Sequence, residues 1–171
     1  CSFIAENDMS VQKNYETAAA QLDMESYIEY LCANLYLANN GWNEDYVVFR
    51  FGEDAQWRFL LRDCGSSAAA NAYSTYSIDT FLRPEVTEHA MLRSLMQNET
   101  FSQAMQDTME QMAEECFDAQ KAAAALDALG DLYERGVIAS QNRYTQGFLE
   151  NSYDARIEEI KEFFERRADF V

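Results

Sequence analysis

Asp63 is the residue whose surroundings best fit it for chemistry. It follows an aromatic and β-branched stretch that runs from Tyr46 to Leu61 and ends in Arg62-Asp63-Cys64-Gly65. A carboxylate is a hard oxygen donor, suited to an ion such as Mg²⁺. Other reactive side chains are sparse. His89 is the only histidine, so a His-rich metal site is impossible and a Ser–His–Asp triad could be built only around it. It stands among Glu88, Ala90 and Met91 in a helical stretch, and reads as a surface or packing residue rather than a base. Cys1, Cys32, Cys64 and Cys116 are far apart, with no C-x-x-C pair, which excludes a zinc ribbon or a thioredoxin-like motif. They leave the redox compartment open. With thirty Asp and Glu, close carboxylate pairs are inevitable, so a glycosidase dyad gains no support above chance.

The charge balance narrows the partners. Thirteen Lys and Arg against thirty Asp and Glu give 13 − 30 = −17 over 171 residues. A nucleic-acid surface needs a basic face to release counterions, and an anionic membrane needs the same. Both are excluded as partners, and a cationic protein or a metal ion fits better. Most of the charge reads as solvated helix faces. No apolar run reaches the ~18 residues of a membrane span. The start, Cys1 to Asp8, lacks the basic and apolar regions of a signal peptide. It also lacks an initiator Met, so the chain is expected to be a piece of something longer or a processed form.

The elements that must position Asp63 are mostly helical, since the chain has six Gly and one Pro. Residues 1–21 are polar, with no clear period. A helix is expected over 23–38, with Asp23 as N-cap and Tyr27, Ile28, Leu31 and Leu35 on one face. Asn39-Asn40-Gly41 should stop it. Tyr46–Phe51 and Gln56–Leu61 flank the turn Gly52-Glu53-Asp54-Ala55 and read as a β-hairpin at about 46–62. Val47, Phe49 and Phe51 would share one face of it, and Trp57, Phe59 and Leu61 a face of the partner strand. A Ser-, Ala- and Tyr-rich loop follows to about residue 80.

Beyond Pro84 the pattern is helical throughout. Thr87 can cap a helix carrying Met91, Leu92, Leu95 and Met96. Phe101, Met105, Thr108, Met109, Met112 and Cys116 form one stripe of the next, and these methionines read as core. Asp118 can cap a third helix, with Ala122, Leu126, Leu129 and Tyr133 on one face. Asn151 or Ser152 starts the last, where Tyr153, Ile157, Ile160 and Phe164 align. The fold class is therefore α+β, mainly α: a helical bundle with one hairpin. Two regions are expected, an N-terminal segment over 1–21 and a helical lobe over 22–171.

Helix, polar loop, hairpin, then Asp at the hairpin's exit is the order used by protein-kinase-like phosphotransferases, in which that Asp holds Mg²⁺ against the nucleotide phosphates. Particular residues sharpen the likeness. Tyr27-Ile28-Glu29-Tyr30-Leu31, Asn39-Asn40-Gly41-Trp42, Tyr46-Val47-Val48-Phe49-Arg50, Trp57-Arg58-Phe59-Leu60-Leu61 and Arg62-Asp63 occur in order. So do Leu95-Met96-Gln97-Asn98-Glu99-Thr100-Phe101 and a closing helix ending in Phe163-x-x-x-Arg167. Over residues 22–171 the chain resembles the CotH-type (spore-coat protein H) kinase family. It is similar to the C-terminal lobe of that family, with degenerate motifs.

The resemblance implies roles. Asp63 matches the first Asp of the hairpin-exit motif, a metal ligand. Asp45 falls where the family has an Asn before the strand, and could ligate the same ion. The family's loop Asp, which orients or deprotonates the acceptor, falls at Gly41, so the catalytic position is unfilled. The second acid of the exit motif falls at Gly65. Asn40, Asn43 or Glu44 could stand in for the missing loop Asp. The family's N-terminal lobe, which holds the nucleotide, has no counterpart in the polar segment 1–21. Three readings follow. The chain is a degenerate CotH-like lobe serving as a binding or scaffold module with a protein partner; or the catalytic lobe of an active kinase using Mg²⁺ and ATP when the full chain is present; or an unrelated helical interaction domain. The family also implies an extracellular, cell-surface or spore-coat location.

Overall fold

The computed structural model describes residues 2–44, 46–144 and 150–171, with the main chain only over 150–152. Helix α3, Met24–Tyr36, is its axis. Asp23 caps it as expected, its carboxylate accepting from the Ser26 N–H at 3.0 Å. Ten of its residues are buried, so it is surrounded rather than merely amphipathic. Ahead of it, the segment without a sequence period forms two short helices, α1 (Ser2–Glu6) and α2 (Gln12–Ala19). Ile4, Met9 and Ala18 from this segment are buried in the same core as α3. The side-chain amide of Asn98 donates to the Met9 carbonyl at 3.0 Å, and the Ser94 hydroxyl to that of Asn7 at 2.6 Å.

The hairpin is present but shorter than its apolar run. Strands β1 (Val47–Phe49) and β2 (Arg58–Leu60) pair antiparallel, Val48 facing Phe59. Phe51 lies beyond the ladder and is 81% exposed. Inside it, Phe59 packs its ring on Tyr27 and Tyr30 of α3, centroids 4.6 and 5.1 Å apart. The Ser26 hydroxyl accepts from the Phe59 N–H at 2.9 Å and donates to the Phe59 carbonyl at 3.2 Å. One serine on the helix thus occupies both main-chain groups of the inward strand residue and docks the hairpin. Trp57 is held by main-chain hydrogen bonds, its N–H to Gln21 and its carbonyl from Asp23, 2.7 and 2.9 Å.

After the hairpin, residues 64–79 wrap the C-terminal end of α3. They are followed by a 3-10 turn (Thr80–Leu82), α4 (Pro84–Thr87), α5 (Ala90–Leu95) and α6 (Glu99–Gln111). Thr87 is the last residue of α4, not a cap; the cap of α5 is His89, whose Nδ1 accepts from the Leu92 N–H at 3.2 Å. On α6, Phe101, Met105 and Met109 are buried against α3, as the stripe predicts. Met112 still packs against the core, but Met112–Cys116 widens into a π-turn that leaves Cys116, the last residue of the stripe, exposed.

Helices α7 (Ala119–Tyr144) and α8 (Glu150–Arg167) form an antiparallel pair. Asp118 caps α7 as expected, accepting from the Lys121 N–H at 2.9 Å. The expected inner face of α7 is wrong at its C-terminal half: Leu129 and Tyr133 are exposed, and Gly130 is the buried residue. The Tyr153 hydroxyl donates to the Gly130 carbonyl at 2.9 Å, and Ile157 lies against it, so α8 crosses where α7 carries no side chain. Tyr153 and Ile157 thus face as predicted, while the fully buried aromatic of α8 is Phe163, with Phe164 only partly covered. Among the described residues no helix is long and apolar enough to cross a membrane.

Candidate functional site

The loop between α3 and β1 meets the exit of β2 at Asn39. Helix α3 ends through Ala38, which takes a left-handed φ of 51°. The Asn39 N–H returns to the Asn34 carbonyl at 2.9 Å and the Ala38 N–H to that of Leu35 at 3.2 Å, the paired bonds of a Schellman end. The stop therefore lies one residue before the Asn39-Asn40-Gly41 string expected to supply it. This turn sends the Asn39 side chain inward, 2% exposed. Its amide nitrogen donates to Asn34 Oδ1 at 2.8 Å and to the Asp63 main-chain oxygen at 3.2 Å. Its amide oxygen accepts from the Gly41 N–H at 3.2 Å. One buried amide thus joins helix end, loop and hairpin exit.

Asp63 stands at that junction with its side chain in solvent. It has a left-handed φ of 52°, a conformation Asp tolerates better than most residues. Its Oδ1 accepts only a long bond, 3.4 Å, from the Gly65 N–H. Asp45, the second expected ligand, lies outside the described residues. At Gly41, which has no side chain, an added Cβ would meet nothing within 4 Å among the described residues other than its chain neighbours. The three stand-ins diverge. Asn40 donates to Asn71 Oδ1 at 3.1 Å, Asn43 lines an aromatic cavity on the far side of the loop, and Glu44 is exposed.

Among the described residues no group of three His, Cys, Asp or Glu is close enough to hold a metal ion. Mg²⁺ needs fewer protein ligands when phosphates and water complete its shell. Of the described residues, Asp63 brings one free carboxylate to the junction, while the Asn39 amide is consumed in the tether. The described donors alone therefore do not make a Mg²⁺ site, and no phosphoryl-transfer step is derived through one.

The opposite side of the junction is closed by Arg167, fully buried on α8. Its Nε donates to the Tyr36 carbonyl at 2.7 Å and its Nη2 to that of Leu35 at 3.0 Å. Its Nη1 reaches the carbonyls of Tyr76 and Ile78, 2.8 and 2.6 Å, and Nη2 also meets the Thr80 hydroxyl at 3.1 Å. The guanidinium occupies carbonyls at the end of α3, where the helix dipole favours a cation. Burial pulls its pKa down to about 10, with Tyr36 and Asp79 opposing, so it stays charged.

This is the arginine of the closing Phe163-x-x-x-Arg167 motif, whose phenylalanine is also fully buried. A family model described as CotH kinase protein matches residues 2–171. The chain belongs to the CotH kinase family. The match takes in the N-terminal helices as well as the lobe over 22–171, and it removes the reading as an unrelated helical domain. No curated protein and no solved structure matches the chain.

Sequence reasoning missed the working parts of this junction. In the sequence Asn39 reads as a helix stop rather than a tether, Ser26 carries no signal of its hairpin contact, and Arg167 stands out only as the end of the closing motif. A conformational signal existed for Asn39 alone, as a polar residue directly after an apolar helix.

Proposed function

We propose that this CotH-family chain is degenerate as a phosphotransferase and serves as a binding or scaffold module for a protein partner. Gly41 carries the reading. The resemblance places the family's acceptor-orienting Asp there, and among the described residues, its chain neighbours apart, nothing stands within 4 Å of where a Cβ would be. Phosphoryl transfer depends almost wholly on positioning and electrostatics, so losing the group that orients the acceptor removes most of what the lobe contributes. The Asn39 side chain still ties the end of α3 to the hairpin exit, and Arg167 still occupies the Leu35 and Tyr36 carbonyls. The exposed Leu129, Leu132 and Tyr133 on α7 offer a partner an apolar contact face.

The second reading is an active Mg²⁺-ATP kinase with Asp63 and Asp45 as ligands. It is favoured by one observation, the contact between the loop and the hairpin exit. Melting the chain in a Mg²⁺-ATP titration distinguishes the two, because a ligand of the folded state must raise the melting temperature. The degenerate reading expects no rise, and no transfer of labelled γ-phosphate to a protein acceptor. A rise abolished by Asp63→Ala, together with transfer, supports the kinase reading instead.

A further inference from the structure

Strand β1 has an open edge, and the register of the hairpin says which main-chain groups line it. In an antiparallel pair, residues that exchange hydrogen bonds with the partner strand alternate with residues whose N–H and C=O point the other way. Phe59 is of the second kind, because the Ser26 hydroxyl takes both its N–H and its carbonyl. So is Trp57, whose N–H and carbonyl are bound by Gln21 and Asp23. The outer side of β2 is therefore closed. Val48 stands opposite Phe59 in the ladder, so its own N–H and C=O point away from β2. Among the described residues no hydrogen bond reaches either group. Val48 is 37% and Tyr46 50% exposed, and Arg50 is exposed as well.

An open strand edge is a template for another strand, and natural proteins guard it with Pro, Lys, a bulge or a covering element. The run Tyr46-Val47-Val48-Phe49-Arg50 carries no Pro, no Lys and no acid. The missing acid matters in a chain of net charge −17, because two copies repel each other over much of their surface. At β1 they can approach without setting carboxylates face to face.

The strand is also complementary to itself. The closed arrangement available to one strand edge and its copy is an antiparallel pair about a two-fold axis. Centred on Val48, such a pair lets the two copies of that residue exchange both of their outward hydrogen bonds. Tyr46 of each copy then lies opposite Arg50 of the other, and Val47 opposite Phe49. The first pairing brings a second ring to a guanidinium that already sits 4.7 Å from the Trp57 ring centroid. The second is an aromatic–β-branched pair of the kind that stabilises sheets. No like charges meet.

We propose that β1 pairs with β1 of a second copy of this chain, antiparallel and centred on Val48, so that two hairpins join into one four-stranded sheet. Five residues a side make a small interface, and the expected dissociation constant is on the order of 100 µM. The proposal goes beyond the degenerate-lobe reading and does not rest on it, since neither Gly41 nor Asp63 takes part.

Analytical ultracentrifugation of the 171-residue chain tests it, with reductant present so that the exposed Cys116 cannot cross-link copies. A monomer–dimer equilibrium is expected between about 10 µM and 1 mM. Over the same range, exchange of the Val48 N–H should slow as concentration rises. Val48→Pro removes a donor that faces the second copy and none that the hairpin uses. It should weaken the dimer about tenfold or more while keeping the circular dichroism spectrum of the parent. Val48→Lys sets two cations opposite each other across the axis and should weaken the dimer several-fold, most at low salt. It decides the matter if the proline variant does not fold. A chain that stays monomeric up to about 1 mM overturns the proposal. So does a dimer that either folded variant leaves unchanged, the result expected if the copies meet through another surface.

Discussion

The Asn39 side chain donates to the main-chain oxygen of Asp63, not to its carboxylate, at 3.2 Å across 24 residues of chain. Position and chemistry are therefore separable at this junction. The tether holds the hairpin exit in place whatever side chain residue 63 carries, and it leaves the carboxylate free to meet a ligand. Asp63→Gly should keep or slightly raise stability, because glycine adopts a φ of 52° without steric cost. Asn39→Ala should lose about 1–3 kcal/mol, since it strands buried partners. Urea unfolding of both variants checks the contrast, and a large loss in Asp63→Gly would contradict it.

Ser26→Ala tests the docking of the hairpin. Its hydroxyl meets both the N–H and the carbonyl of Phe59. Removing it leaves two strand groups to find other partners, and a loss of about 1–3 kcal/mol is expected. Amide exchange should accelerate first in β1 and β2. Uniform acceleration across all helices would instead mean that the serine supports the core at large.

Arg167 offers a sharper case. It carries a full charge into the core with main-chain carbonyls and one hydroxyl as its hydrogen-bond partners. Arg167→Met should destabilise by about 3 kcal/mol or more, through the carbonyls it strands. Arg167→Lys keeps the charge but cannot reproduce a planar fork over this many acceptors, and should recover only part of the loss. Full recovery in thermal melts would show that charge alone matters there.

His89 should make stability depend on pH. Burial lowers its pKa from 6.5, and its Nδ1 must be unprotonated to cap α5. The unfolded chain then binds more protons than the folded one between the depressed value and 6.5, so stability rises with pH across that window. Its contribution is complete above the unfolded pKa and falls away as the pH drops through the folded one. His89→Asn retains a capping side chain and should flatten this part of the profile. An unchanged slope in urea unfolding between pH 5 and 7, as a rough window around the histidine range, would rule the histidine out as its source.

What could be read in the sequence was local. Asp23 and Asp118 announce their helices because a cap is a bond to a residue three positions on. The hairpin shows through alternation and its turn, although only three residues of each strand pair. What stayed hidden is held by distant partners. Ser26 meets Phe59 over 33 positions, and Arg167 meets Tyr36 over 131, and neither leaves a periodic trace. The His89 cap was missed because histidine is not among the usual capping residues. The α7 face was misread because apolar periodicity marks a face without saying what covers it. At the site, the sequence pointed to Asp63 and to Gly41 only through the family resemblance. It could not supply the Asn39 tether, which exists only once the two loops meet.

The position of Arg167 also bears on how the chain assembles during synthesis. Helix α3 and the hairpin leave the ribosome early, with nearly all of their mutual contacts available. The Tyr36 carbonyl, however, waits for a guanidinium made 131 residues later. At about 5–20 residues per second, that delay lasts roughly 7 to 26 seconds. Over that interval the last carbonyls of α3 lack their guanidinium, so a nascent chain can form its hairpin well before the end of α3 is capped.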